Sequence, residues 1–131
     1  MPGIGPAMTL RIWGARGSTP SAGPDTERYG GETTSLEIVI GGRSVLIDCG
    51  SGARALSRRL TEEGVDDIDI LFSHFHLDHI CGLPFFGPAY SATTTLRLWS
   101  GHLSPEMDPR EAICRIMSPP IFPVAFDCLA S

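Results

Sequence analysis

His74-Phe75-His76-Leu77-Asp78-His79 is the stretch that decides how the rest of this chain reads. Three of the four histidines in the protein fall within these six residues, interleaved with a carboxylate. A lone histidine is most often a satisfied core residue, but three at this spacing beside an aspartate point to a metal site. The segment follows Ile68 to Phe72, a short apolar run of strand length. Just past a strand, residues two apart project to the same side, so His74 and His76 can grip one ion. Asp78 and His79 lie beyond a turn and are expected to face a different direction, where a second ion has room. Imidazole and carboxylate donors suit zinc, and manganese or iron less exclusively. An ion so held brings the pKa of its water to roughly 7, and a pair of ions about 3.5–4 Å apart can stabilise attacking and leaving oxygens of a phosphoryl centre.

Upstream, Thr9 to Trp13 alternates as a first strand. Gly14 to Gly31 is a long loop rich in Gly, Pro, Ser and Thr, of a length that is often functional. Thr34 to Ile40 and Ser44 to Ile47 are strands joined at Gly41-Gly42 as a hairpin. Asp48-Cys49-Gly50-Ser51-Gly52 is a tight turn that opens a helix from Ala53 to Glu63, with Leu56 and Leu60 on one face and Gly64 as its cap. Thr33, Thr34 and Ser35 read as ordinary strand residues. Downstream, Leu96 to Trp99 is a further strand. Asp108 to Met117 reads as a helix with Asp108 as N-cap and Pro109 at its first position, stopped by Ser118-Pro119-Pro120. Strands alternating with helices indicate an α/β layer architecture, with the histidine segment at the C-terminal end of a strand, where open α/β sheets place their ligands.

Composition narrows the functional classes. The chain has 131 residues, one domain at most, with 42% hydrophobic and 19% charged residues, a globular balance. No apolar run approaches a membrane span, and Met1 to Leu10 lacks the pattern of a secretory leader. A cytoplasmic location is the expectation, with no membrane partner. The net charge of −5, with every basic residue an arginine, offers no basic stripe for duplex DNA. Cys49, Cys81, Cys114 and Cys128 are widely spaced and read as reduced, mostly buried thiols, with Cys81 close enough to the histidines for a ligand role to be weighed. His102, in Ser100 to Pro105, reads as a surface-loop residue.

H-x-H-x-D-H after a short apolar strand resembles the signature of the metallo-β-lactamase superfamily. Asp48-Cys49-Gly50-Ser51-Gly52 resembles that family's D-x-G-x-G turn. Trp13 to Pro20, followed by Arg28-Tyr29-Gly30-Gly31, is similar to the N-terminus of the branch that includes tRNA 3′-processing endonucleases and related phosphodiesterases. The resemblance implies a metallo-β-lactamase-type αββα sandwich, here its first half-domain: a hairpin-rich mixed sheet with helices on one side, recognisable from about residue 9 within a single domain of residues 1–131. It implies that His74 and His76 ligate one metal and Asp78 and His79 a second, in a fold that carries two zinc ions when complete. It further implies that Asp78 is the catalytic, proton-handling carboxylate and that Asp48 orients a ligand from behind. Arg16 and Arg28 are candidates for a substrate phosphate. The flavodiiron branch has Glu where this chain has His76, so hydrolysis is expected over oxygen or nitric oxide reduction.

The family's second half supplies a further His, a bridging Asp and a last His. After His79 this sequence offers His102, Asp108 and Asp127, and none falls where those ligands belong. The expectation is therefore a truncated domain with an uncovered apolar sheet face, needing a second copy of itself or the missing half. Three functional readings stand at this point. One is a metal-dependent hydrolase of a small-molecule or nucleotide phosphodiester. Another is an inactive relative that binds metal weakly or needs a partner chain. The last is a hydrolase of a thioester, lactone or β-lactam.

Overall fold

The computed structural model describes residues 7–129, apart from the side chain of Cys128. The expectations on Met1 to Pro6 and on Ala130 and Ser131 lie outside the described residues. Five strands form one sheet in the order β1 (Met8–Gly14), β2 (Ser35–Ile40), β3 (Arg43–Ile47), β4 (Asp67–Phe72) and β5 (Thr95–Ser100). The first three run antiparallel, whereas β3, β4 and β5 are mutually parallel. Gly41 and Gly42 both take positive φ, 56° and 82°, which lets a two-residue turn match the twist of β2 and β3.

Alternation along the strands sorts side chains into two unlike faces. Leu46, Ile68, Ile70 and Phe72 are buried on the face that carries α1 (Ala53–Glu62) and α3 (Pro109–Ile116). Leu56 and Leu60 of α1 and Ile113 of α3 close this core. The helix ends follow their sequence signals. Gly64 N–H bonds to Thr61 O and Val65 N–H to Leu60 O, the paired closure of a Schellman cap, while the Asp108 carboxylate accepts from Glu111 N at 2.7 Å. The other face presents the rows Leu10–Ile38–Val45 and Ile12–Leu36–Ile47–Leu71–Trp99 in register. Leu10, Ile12, Leu71 and Trp99 on it are exposed. Helices on one side of a mixed sheet and an apolar bare face agree with the expected half-sandwich.

Two features depart from the sequence reading. Residues 77–90, left without an element, form α2 (Leu77–Ile80) and two 3-10 turns, Leu83–Phe85 and Gly87–Tyr90, whose Leu83, Phe86 and Ala89 are buried in the core. Short turns carry too few periods to register as a pattern. Glu37 sits fully buried in the middle of β2. Its Oε1 accepts from Ser44 Oγ at 2.9 Å and from Arg59 of α1, and its Oε2 from Trp13 Nε1 at 3.2 Å and Arg11 at 3.4 Å. Burying a carboxylate is tolerated when donors surround it. Here they tie α1 to three strands.

Candidate metal centre

The site is assembled at the C-terminal ends of the parallel strands. Asp48 directly follows β3, buried and with φ of 60°, a left-handed conformation that Asp tolerates better than most residues. Its N–H donates to Leu71 O of β4 at 2.9 Å. Its carboxylate then receives Ser73 N–H at 2.8 Å on Oδ1 and Ser73 Oγ at 2.7 Å on Oδ2. Ser73 is thereby pinned at the point where the chain leaves β4, and it contacts His74 Nδ1 at 3.0 Å. Oδ2 also lies 2.8 Å from His79 Nδ1. A carboxylate on one ring nitrogen fixes the tautomer and leaves the other free to act as a ligand. The orienting role expected of Asp48 thus has a direct contact behind it.

The turn after Asp48 is clamped onto α2. Cys49 N–H donates to His79 O and Gly82 N–H to Cys49 O, both at 2.8 Å. Gly50 allows the approach, since a Cβ there would stand 2.3 Å from Asp78 O and 2.4 Å from Thr33 Oγ1. Thr33 is not an ordinary strand residue, as the sequence suggested. It is buried, its N–H donates to Ser51 Oγ at 2.8 Å, and its Oγ1 accepts from Ser51 N at 2.8 Å. This reciprocal pair locks the turn to the start of β2. Burial pushes the Cys49 thiol pKa far up, reinforced by Cys81 and Asp48, which makes Cys49 an inert core residue. The partly buried Cys81 lies 3.8 Å from Thr33 Oγ1 and is a free thiol; Cys114 is also free.

His74 and His76 do share a side, their rings 4.5 Å apart and edge to face. His79 does not point away from them. With His76 as its N-cap, α2 turns His79 back until its ring is 4.1 Å from that of His74. Asp78 Oδ2 lies 3.4 Å from His79 Nε2. It also accepts the backbone N–H of Ser18 at 2.9 Å, and this hydrogen bond, ahead of any other cause, holds the Asp78 pKa below the ordinary carboxylate value. Loss of hydration lowers the His74 pKa, aided by His79 and His76. Both shifts favour the forms a cation binds, ionised carboxylate and neutral imidazole.

The donor set therefore fits a divalent ion in chemical type, and at His74 and Asp78 in the direction of the pKa shifts. It is not a closed shell: among the described residues no three His, Cys, Asp or Glu side chains are disposed to hold one ion together.

His102, read as a surface-loop residue, does lie in the turn after β5 and is only partly buried, yet it stands beside the cluster. Its Nδ1 accepts Phe75 N–H at 3.3 Å, and its ring lies 6.1 Å from that of His74. β5 runs parallel to β4 and so delivers its following loop to the same edge, a consequence of sheet order that spacing along the chain does not encode. Among the described contacts, Arg16 Nε donates to Thr19 O at 2.9 Å and Arg28 stacks over Tyr29 at 5.0 Å, contacts that lie within the loop. That loop reaches the site instead through Ser18 N–H. Ser73 was missed because a serine after a strand carries no signal until Asp48 is seen opposite it.

A sequence model described as the metallo-beta-lactamase superfamily matches residues 28–97, just over half of the chain. Ribonuclease Z of Clostridium acetobutylicum is 38% identical over 77 residues, covering 58% of this chain and 22% of the relative. Ribonuclease Z of Clostridium kluyveri is 46% identical over 52 residues, covering 39% and 17%. The chain spans about a fifth of the length of these curated relatives. Among solved structures, a diphosphatase from the PhnP family aligns with a TM-score of 0.47 at 18% identity, over 74% of this chain and 51% of the other.

Proposed function

The chain belongs to the metallo-beta-lactamase superfamily, and on that premise we propose that it is a zinc-dependent hydrolase of phosphodiesters. The observation that carries the reading is the convergence of His74, His76, His79 and Asp78 at one sheet edge, with Asp48 Oδ2 2.8 Å behind His79. His74, His76, Asp78 and His79 are the residues that would hold the metal. When bound there, zinc supplies Lewis acidity and makes hydroxide available near neutral pH. Asp48 fixes the His79 ring through Nδ1. Asp78, kept ionised by Ser18 N–H, is the carboxylate to which this reading assigns proton transfer. The phosphodiester is favoured over a thioester, lactone or β-lactam because the curated relatives matched are ribonucleases Z.

The test is hydrolysis of bis(p-nitrophenyl) phosphate by the purified chain with added zinc, beside its metal content. The reading expects bound zinc, turnover that a chelator abolishes, and loss of both in His76→Ala. Zinc bound without turnover would favour the inactive relative. No bound zinc at all would reject the site.

A further inference from the structure

Beside the histidine cluster, on the helix side of the sheet, lies a hollow of about 410 Å³. His76 and His102 stand at one end, and Phe75, Ile80, Met107 and Ile116 line its walls. A larger hollow of about 510 Å³ between Leu96, Leu98, Phe126 and Leu129 has none of the cluster histidines in its lining. The smaller one falls within the size range of small-molecule sites.

We propose that this hollow is a nucleobase subsite for the substrate of the adjoining centre, with His102 as its hydrogen-bond donor. The inference rests on the phosphodiesterase reading, to which it adds the place where the base of a nucleotide substrate would sit. The first argument is shape chemistry. The rings of Phe75 and His102 stand together, 5.5 Å apart and tilted by 47°, and aromatic side chains with apolar neighbours are what unstacked bases settle on. The next is polarity. His102 Nδ1 is occupied as an acceptor by Phe75 N–H, so the uncharged ring carries its proton on Nε2 and offers a donor to a base edge. The same bond argues against His102 as a metal ligand through Nδ1. Charge is the last argument. Arg115 also lines the hollow, and the only described partner of its guanidinium is Glu111 at 3.1 Å, both side chains being more than half exposed. A surface pair of that kind is weak, which leaves a cation available for the anionic backbone that carries the base.

The experiment compares adenosine 5′-monophosphate with ribose 5-phosphate, which differs only in lacking the base, by calorimetry in chelator-treated buffer. Without metal the comparison does not depend on the zinc ligands. The monophosphate should bind about tenfold more tightly, the scale of one base stacked on aromatic groups. Amide NMR shifts should centre on Phe75, His102 and Met107. Met107→Trp, which fills the hollow, should remove the difference while circular dichroism stays unchanged. Equal affinities, no binding of either compound, or shifts centred elsewhere would overturn the proposal, and the wild-type comparison decides it even if the variant fails to fold. Base-dependent binding without diester hydrolysis would leave the subsite standing and sink the hydrolase reading; hydrolysis without base dependence would do the reverse.

Discussion

Glu37 and Asp48 are both buried carboxylates of one sheet, the first on β2 and the second just past β3, and they are used in opposite ways. Glu37 sits in regular β2 and gathers Ser44, Trp13, Arg11 and Arg59, donors from β1, β3 and α1. Its partners are themselves scaffold. Asp48 sits one residue past β3 in a left-handed conformation, and its carboxylate gathers Ser73 and His79, both at the mouth of the site. The first acid holds elements together. The second converts the ends of β3 and β4 into a fixed address for histidines. Backbone strain at Asp48 but not at Glu37 is the expected mark of a position kept for its geometry.

The comparison can be broken in graded steps. Glu37→Ala leaves Arg59 facing a void, and losing one partner of a buried pair costs about 3–5 kcal/mol. The lower end applies here, since Arg59 keeps some solvent and its second partner Glu63. Denaturant unfolding should show a stability loss of about 3 kcal/mol, with zinc stoichiometry of the folded fraction unchanged. A loss of zinc binding in folded Glu37→Ala would erase the distinction. Asp48→Asn keeps a residue that accepts positive φ but removes the charge behind His79. Zinc affinity measured by competition should fall about 10–100-fold, with a smaller effect on stability than Glu37→Ala; unchanged affinity would reduce Asp48 to a turn residue.

Ser73→Ala sharpens the same contrast. It deletes the 2.7 Å hydroxyl bond to Asp48 while keeping the backbone bond, so stability should drop by about 1 kcal/mol or less and zinc affinity less than in Asp48→Asn. The smallest effect is expected on the bare face. Arg97, through its hydrogen bond, holds the pKa of exposed Asp67 below the usual value. A folded pKa below the unfolded one contributes stability above the unfolded value, near 3.9, and loses it as pH falls through the folded value. Arg97→Gln should therefore lower the melting temperature slightly at pH 7, with the difference from wild type vanishing in acid. A difference that persists in strong acid would mean Arg97 acts through packing instead.

Local signals did most of the work of locating elements. Period-two alternation gave β1 to β3, a short apolar run gave β4, Gly41-Gly42 gave the hairpin, and Asp108-Pro109 gave the start of α3, because each is encoded within a few neighbouring residues. The chemistry of the site was equally local, since His74 to His79 occupy one segment. What could not be read was anything set by register or by the packing of distant segments. Glu37 looks like an interruption in a strand until Arg59, 22 positions away, is brought over it by α1. Thr33 and Ser73 are unremarkable until their partners Ser51 and Asp48 stand opposite.

Sequence alone therefore determined the superfamily, the order of the strands with α1 and α3, and the identity of the candidate metal-binding residues, because these depend on residue type and spacing within single segments. Tertiary structure decided the rest. It turned His79 back toward His74, seated Ser18 N–H on Asp78, and carried His102 to the edge of the cluster beside the hollow it shares with Met107 and Ile116. Those placements follow from which strands pair and in what direction, and pairing is fixed by the burial of a whole sheet face rather than by any one stretch of chain.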